Sequence, residues 1–327
     1  MAANTEVCLY CLGKLGAPRV RGVQDRLKVV LGKWDFLGCE RCASVRLSPF
    51  PDAKDLPSFY PEAYSFALTS KDNEKPSLRT RLEYYFFHQR QYRRQVNLIL
   101  KGIGKRDGRG LKLLDFGCGE GLRLLELRRA GFDVAGADFQ SSVVENIKRQ
   151  WQIPAYQADL DTIHQHFAPA SLDVIVAYHV MEHVLDVHGA LKSCQKLLRP
   201  GGWLVVALPL CDGQQARWFK SRWVAFTEAP RHVSLPSQSG MLAAGKSCGF
   251  QRIQVVPDST FGCAALVGLS LFPDGSVTGV AGRRRFFALA SRLAAAAVTL
   301  LAAPWSWLEN HALKSPSLGI VFLEKSS

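Results

Sequence analysis

The stretch Leu113-Leu114-Asp115-Phe116-Gly117-Cys118-Gly119-Glu120-Gly121 decides how this 327-residue chain is read. An apolar strand runs straight into three glycines at alternate positions, and a leucine-rich amphipathic stretch follows. Glycine lets the backbone turn sharply and pass close to a ligand, while the start of the next helix points free N–H groups at it. The stretch is therefore a ligand-cradling loop between a strand and a helix.

Outward from this loop, apolar strands alternate with helical stretches, the signature of a parallel sheet built from strand-helix-strand units. Strands are expected at 111–116, 133–137, 155–158, 172–178, 203–208, 251–256 and 319–323, which fit one seven-stranded sheet. Helices are expected at 121–130, 142–150, 187–198 and 237–247, each ending near Gly or Pro. An amphipathic helix precedes the sheet over 78–103, with Leu78, Leu82, Tyr85, Phe86 and Leu98 on its apolar side.

Nicotinamide dinucleotide loops read Gly-x-Gly-x-x-Gly. Here the third glycine comes one residue early and Leu122 stands where the last would be needed. The loop instead resembles the acidic-x-Gly-x-Gly-x-Gly motif of class I S-adenosylmethionine (SAM) methyltransferases. The likeness runs over 111–256. Asp138, closing Val134-Ala135-Gly136-Ala137-Asp138, matches the acid that holds the ribose hydroxyls in that family, and a carboxylate can accept both bonds. Asp159, in Gln157-Ala158-Asp159-Leu160, matches the residue beside the adenine, with Phe139 available to pack on its face. Pro200-Gly201-Gly202 resembles the turn into the fifth strand. The resemblance implies a Rossmann-like α/β fold with helices on both faces of the sheet. It also implies a SAM site among Asp115, Gly117, Cys118, Gly119, Gly121, Asp138, Phe139, Asp159, Leu160 and Tyr178.

After the fourth strand comes His179-Val180-Met181-Glu182-His183, whose spacing on a helix would bring His179, Glu182 and His183 near one face. The string also spells the His-x-x-Glu-His of an inverted zinc protease, but that reading needs a protease context which a cofactor-binding sheet does not supply. The position resembles the Glu-x-x-Glu-His of ubiquinone-pathway O-methyltransferases and of small-RNA 2′-O-methyltransferases, with His179 replacing the first Glu. His232, in Pro230-Arg231-His232, stands where the RNA group draws a further ligand, and Val184 replaces that group's second His. The resemblance makes His179, Glu182, His183 and His232 catalytic candidates, either around a divalent ion that would lower the acceptor hydroxyl's pKa or with His183 as general base. Alternatively these residues only shape the pocket.

There are 9 cysteines, and four form the pairs Cys8-Leu9-Tyr10-Cys11 and Cys39-Glu40-Arg41-Cys42. Four thiolates suit a tetrahedral structural Zn²⁺, and the short strands around them carry too few apolar residues to hold a core unaided. The separation between the pairs exceeds that of the usual zinc ribbon. With Phe59-Tyr60-Pro61-Glu62-Ala63-Tyr64, the block resembles the N-terminal zinc-binding region of one branch of bacterial methyltransferases. Four parts result: a zinc-ribbon-like module over 1–51, a linker and helical segment over 52–110, the SAM-binding core over 111–260, and an extension over 261–327 with an apolar helix and the last strand.

With 47% hydrophobic and 21% charged residues, the composition is that of an ordinary globular protein in water. The start of the chain lacks a cationic stretch leading into an apolar one, so a reducing, cytoplasmic location is expected. The formal charge of +13 is concentrated in Arg79, Arg81, Arg90, Arg93, Arg94, Lys101, Lys105, Arg106 and Arg109. That patch keeps nucleic acid open as a partner. Residues 283–308 join an arginine cluster to an uncharged, alanine-rich run interrupted by Pro304, which is short for a membrane span. Such a segment packs on the core or lies at a lipid surface.

The expected function is O-methylation of a small molecule or a glycan or lipid-linked intermediate. An RNA methyltransferase gripping its substrate through the basic stretch and the zinc module is the alternative. A non-catalytic cofactor-binding scaffold is the third reading.

Overall fold

Successive side chains of a strand point to opposite faces, so a strand buried on both sides feeds two cores. In Leu172–Tyr178 every residue is buried. Leu172, Ile175 and Ala177 join one core, and Val174, Val176 and Tyr178 the other. The computed structural model describes residues 7–60, 89–160, 162–272 and 285–327, with side chains from 293 onward in the last of these.

The strands are β1 (Leu15–Val23), β2 (Trp34–Cys39), β3 (Val45–Ser48), β4 (Lys112–Phe116), β5 (Asp133–Asp138), β6 (Ala155–Gln157), β7 (Leu172–Tyr178), β8 (Leu198–Pro209), β9 (Ser234–Leu235), β10 (Phe250–Pro257) and β11 (Leu318–Lys325). The helices are α1 (Gln89–Gly102), α2 (Leu122–Arg129), α3 (Ser141–Trp151), α4 (Val187–Leu197), α5 (Gln214–Phe219), α6 (Val224–Thr227), α7 (Gln238–Ser247), α8 (Thr260–Leu271) and α9 (Arg285–His311).

All seven expected strands form one sheet, in the order β10-β11-β8-β7-β4-β5-β6. Strands β4 to β8 pair in parallel, while β11 runs antiparallel between β8 and β10. The fold is thus a Rossmann-like α/β architecture with the carboxyl ends of its parallel strands along one edge. Pro200-Gly201-Gly202 forms the irregular entry to the fifth strand: β8 begins at Leu198, its register against β7 jumps from Leu198 to Trp203, and Gly201 sits at φ 71°. The helix expected over 78–103 is described as α1; its first residues, with Arg79 and Arg81, lie outside the described residues, as do Pro61-Glu62-Ala63-Tyr64 and Arg283-Arg284.

The N-terminal strands do not stand alone. β9, from beyond the main sheet's fifth strand, completes the order β1-β2-β3-β9. Val20, Val23, Phe36, Val45 and Leu47 share a core with Trp223, Val224 and Phe226. The apolar area that the segment lacks is supplied by the α5–β9 region, which the sequence pattern did not single out as structured. Near the C-terminus α9 runs unbroken through Pro304 and packs on α8.

Candidate active site

Three glycines of the loop adopt the left-handed region that β-carbons disfavour: Gly117 at φ 69°, Gly119 at 51° and Gly121 at 75°. A β-carbon on Gly117 would overlap Val180, whereas one on Gly119 would meet nothing within 4 Å among the described residues. The loop thus leaves an open cradle above Gly119 and presses against the chain that follows β7.

Asp138, at the end of β5, accepts hydrogen bonds from the Gly119 N–H (3.1 Å) and the Gln140 N–H (3.0 Å). Burial pushes its carboxyl above the usual range, partly offset by those N–H groups. Phe139 beside it is exposed, an unusual position for a large apolar ring. Asp115 is fully buried and holds the Arg123 guanidinium at 3.0 Å, which in turn lies 4.1 Å over the Tyr178 ring. Burial raises the Asp115 carboxyl, and Arg123 opposes that rise. Asp159 accepts from the Thr162 N–H and hydroxyl at 2.8 and 2.7 Å, bonds that close a local turn. Cys118 and Leu160 are buried in the two cores flanking the sheet.

His179 to His183 is not an α-helix. His179 sits at φ 58° and Met181–His183 forms a single 3-10 turn. The tighter turn still delivers three ligand atoms, one each from Glu182, His183 and His232, within 4.8 Å of one another. His179 stands outside that trio with a half-exposed ring, its Nδ1 3.3 Å from Glu182 Oε1. The other carboxylate oxygen, Glu182 Oε2, is buried without a hydrogen-bond partner among the described residues.

Backbone carbonyls set the two imidazoles, His232 buried and His183 half-buried. His183 Nδ1 lies 3.0 Å from the Arg231 carbonyl and His232 Nδ1 lies 2.7 Å from the Ala225 carbonyl. A carbonyl only accepts, so each Nδ1 carries the proton and each Nε2 keeps a lone pair. Burial lowers both histidines, His232 to about 4, where the neighbouring His183 adds to the effect. Glu182 is held down to about 2 against burial, by the His179 hydrogen bond and the surrounding histidines. For His179, the lowering by burial is outweighed by Glu182, and it is raised. The set at neutral pH is two neutral imidazoles around one carboxylate.

Sequence reasoning missed what supports this trio. Arg231 is fully buried, paired with Asp25 from the β1–β2 connection and with Glu228. Tyr60 places its hydroxyl 3.0 Å from His183 Nδ1 and its ring edge-on to Phe139 at 5.5 Å. Arg231 stood in a quoted motif, but no local pattern marks Asp25 as its partner.

The four module cysteines converge as well. Cys8 and Cys42 sulfurs are 3.6 Å apart, Cys11 and Cys39 3.4 Å, and all four lie within 4.8 Å of one another. Four sulfurs around one zinc at about 2.3 Å stand about 3.8 Å from each other, so the thiols fit that ion.

A seven-stranded sheet with an antiparallel penultimate strand and a glycine loop after its first core strand is the architecture of class I methyltransferases. A methyltransferase-domain family model matches residues 86–255, and the chain belongs to that family. The chain is 38% identical over 114 residues to the ubiquinone biosynthesis O-methyltransferase of Caulobacter sp. (strain K31), covering 32% of this chain and 44% of that protein. To the protein of that name from Acinetobacter baumannii (strain AYE) it is 35% identical over 123 residues, covering 33% and 49%. The chain thus spans under half the length of these curated relatives. A solved structure of a geranyl diphosphate methyltransferase in complex with SAM shares the fold, with a TM-score of 0.50 and 15% identity over 78% of this chain and 93% of that one.

Proposed function

We propose that the protein transfers a methyl group from SAM to a hydroxyl of a small-molecule or glycan acceptor. The observation that supports it is that a β-carbon on Gly117 would overlap Val180, so the glycine loop packs against the segment that leads into the Glu182–His183 turn. The open space at Gly119, the Asp138 carboxylate and the exposed Phe139 ring suit a nucleoside with an amino-acid tail. When bound, SAM supplies an electrophilic methyl on a sulfonium, and in-line positioning carries most of the rate.

A hydroxyl is a poor nucleophile, and the chain offers a base for it. His183 Nε2 takes the proton, its ring oriented by the Arg231 carbonyl and its imidazolium form stabilised by the Glu182 carboxylate. A second arrangement rests on the unpartnered Glu182 Oε2: with two neutral imidazoles it makes a donor set for a divalent cation, which would bind the acceptor oxygen and acidify its hydroxyl. Cys8, Cys11, Cys39 and Cys42 would hold a structural zinc. No observation favours RNA as acceptor, and two of the arginines counted in the basic stretch, Arg93 and Arg109, are paired with Glu126 and Asp107.

Calorimetric titration with SAM, followed by radiolabelled methyl transfer to catechol and sugar hydroxyls with and without added Mg²⁺ or Zn²⁺, tests the reading. SAM binding and transfer to one acceptor class are expected. Failure to bind SAM would overturn it.

A further inference from the structure

A helix on a protein in water ordinarily turns its apolar stripe inward and its polar side outward. In α9 the pattern is inverted. Thr299, Ser306, Glu309 and Asn310 are buried, while Leu293 is 64% exposed, Leu300 63%, Leu301 81% and Trp307 56%. These positions, with Ala297, Pro304 and Leu308, recur at three- and four-residue spacing along one face about 22 Å long. Part of the inner side is tied to the core: Glu309 accepts from Gln215 Nε2 at 3.1 Å and from the Ser317 hydroxyl, and Asn310 Oδ1 accepts from the Cys263 thiol at 3.4 Å. These bonds fix which side of the helix faces inward, and the apolar side faces out.

We propose that this outward face of α9 is a docking surface for a lipid bilayer carrying anionic headgroups. Charge around the stripe supports that occupant. Trp218 packs on Trp305 with ring centroids 4.5 Å apart and a 34° tilt, so the segment that carries the exposed Arg217, Lys220 and Arg222 is anchored to α9. The only acid in Arg285–His311 is the buried Glu309, α8 carries no charged residue, and the chain has a net charge of +13. A cationic rim around exposed leucines and tryptophans matches an interfacial helix lying in the headgroup plane. Two copies meeting face to face would instead oppose like charges. No helix among the described residues is long and apolar enough to cross a membrane, consistent with a helix that lies flat. The inference is independent of methyl transfer.

The test is co-sedimentation of the full chain with vesicles of phosphatidylglycerol and phosphatidylcholine, and with phosphatidylcholine alone. Binding to the anionic vesicles with a blue shift of tryptophan emission is expected. Leu301→Glu with Leu293→Glu should weaken partition by on the order of tenfold at unchanged melting temperature and SAM affinity. Arg217→Glu with Lys220→Glu should weaken binding to the anionic vesicles. A chain that stays in the supernatant with anionic vesicles overturns the proposal. So do leucine variants that turn a dimer into a monomer by light scattering without changing vesicle partition, which assigns the face to a second copy. Leucine variants that only lower the melting temperature assign it to packing within the chain, and also overturn it.

Discussion

The Nδ1 of His183 lies 3.0 Å from the carbonyl oxygen of Arg231, whose guanidinium is paired with Asp25 and Glu228. One residue thus ties the N-terminal strands to the candidate base. Its side chain is clamped by the β1–β2 connection, and its backbone orients the imidazole. Because this bond fixes which nitrogen is free, His183→Ala should lower turnover by about 10² to 10⁴ while leaving SAM affinity within about twofold. His232→Ala should lower it as well. Steady-state kinetics beside calorimetry check the pair; full turnover in both variants would remove the trio from the chemistry.

Asp25 is buried and accepts from the Leu27, Val29 and Val30 N–H groups as well as from Arg231. Against the cost of burial, Arg231 and these N–H groups hold its carboxyl below the usual range. A carboxyl depressed in the folded state stabilises fully above its unfolded value of about 3.9, and that stabilisation is lost as pH falls through the depressed value. Asp25→Asn should therefore destabilise at pH 7 by about 3 kcal/mol, because it removes one of the two carboxylates that balance a buried guanidinium, and should flatten the acid limb of the stability curve. Denaturant melts between pH 2 and 7 would show both effects.

Gly119 and Gly117 separate binding from folding. Both hold left-handed backbone, which costs a non-glycine residue about 1–2 kcal/mol. Gly119→Ala meets no neighbour among the described residues, so it should lose only that backbone cost in stability, while its methyl enters the SAM cradle and weakens SAM at least about tenfold. Gly117→Ala also collides with Val180 and should lose stability and SAM binding together. Unchanged SAM affinity in Gly119→Ala would place the nucleoside elsewhere.

Cys39→Ser should reduce bound zinc, measured by plasma mass spectrometry, from about one equivalent to well below it. Chelation of the unmodified chain should lower its melting temperature, and added zinc should restore it. Because the same strands share a core with Trp223 and Phe226, the main sheet should survive chelation, read as retained far-ultraviolet circular dichroism. Full unfolding on chelation would contradict that shared core.

Much of this protein was legible from local pattern. Alternating apolar runs marked all seven strands of the main sheet, because a strand buried on both faces is apolar nearly throughout, as β7 is. The glycine loop and Asp138 were legible because left-handed backbone and a strand-end carboxylate each leave a one-residue signature. The cysteine pairs were legible because two pairs of thiols already carry their chemistry in their spacing.

Folding decided the rest: the partners of His183 and Arg231 are distant in sequence, while Asp115 and Asp159 are turned onto near neighbours that their motifs do not name. Asp115 belongs to the loop motif, but its carboxylate holds Arg123 beneath Tyr178. Asp159 is turned onto Thr162. The His179–His183 string has helical spacing, yet a left-handed His179 and a 3-10 turn bring Glu182 and His183 to His232 by a different path. Asp25 and Arg231 are 206 residues apart and meet only because β9 joins the N-terminal sheet. Local sequence determines which backbone each segment prefers and where a ligand loop can form. Which buried charge meets which, and hence which nitrogen of His183 faces the Arg231 carbonyl, is determined only when the chain packs and each desolvated group must find its partner.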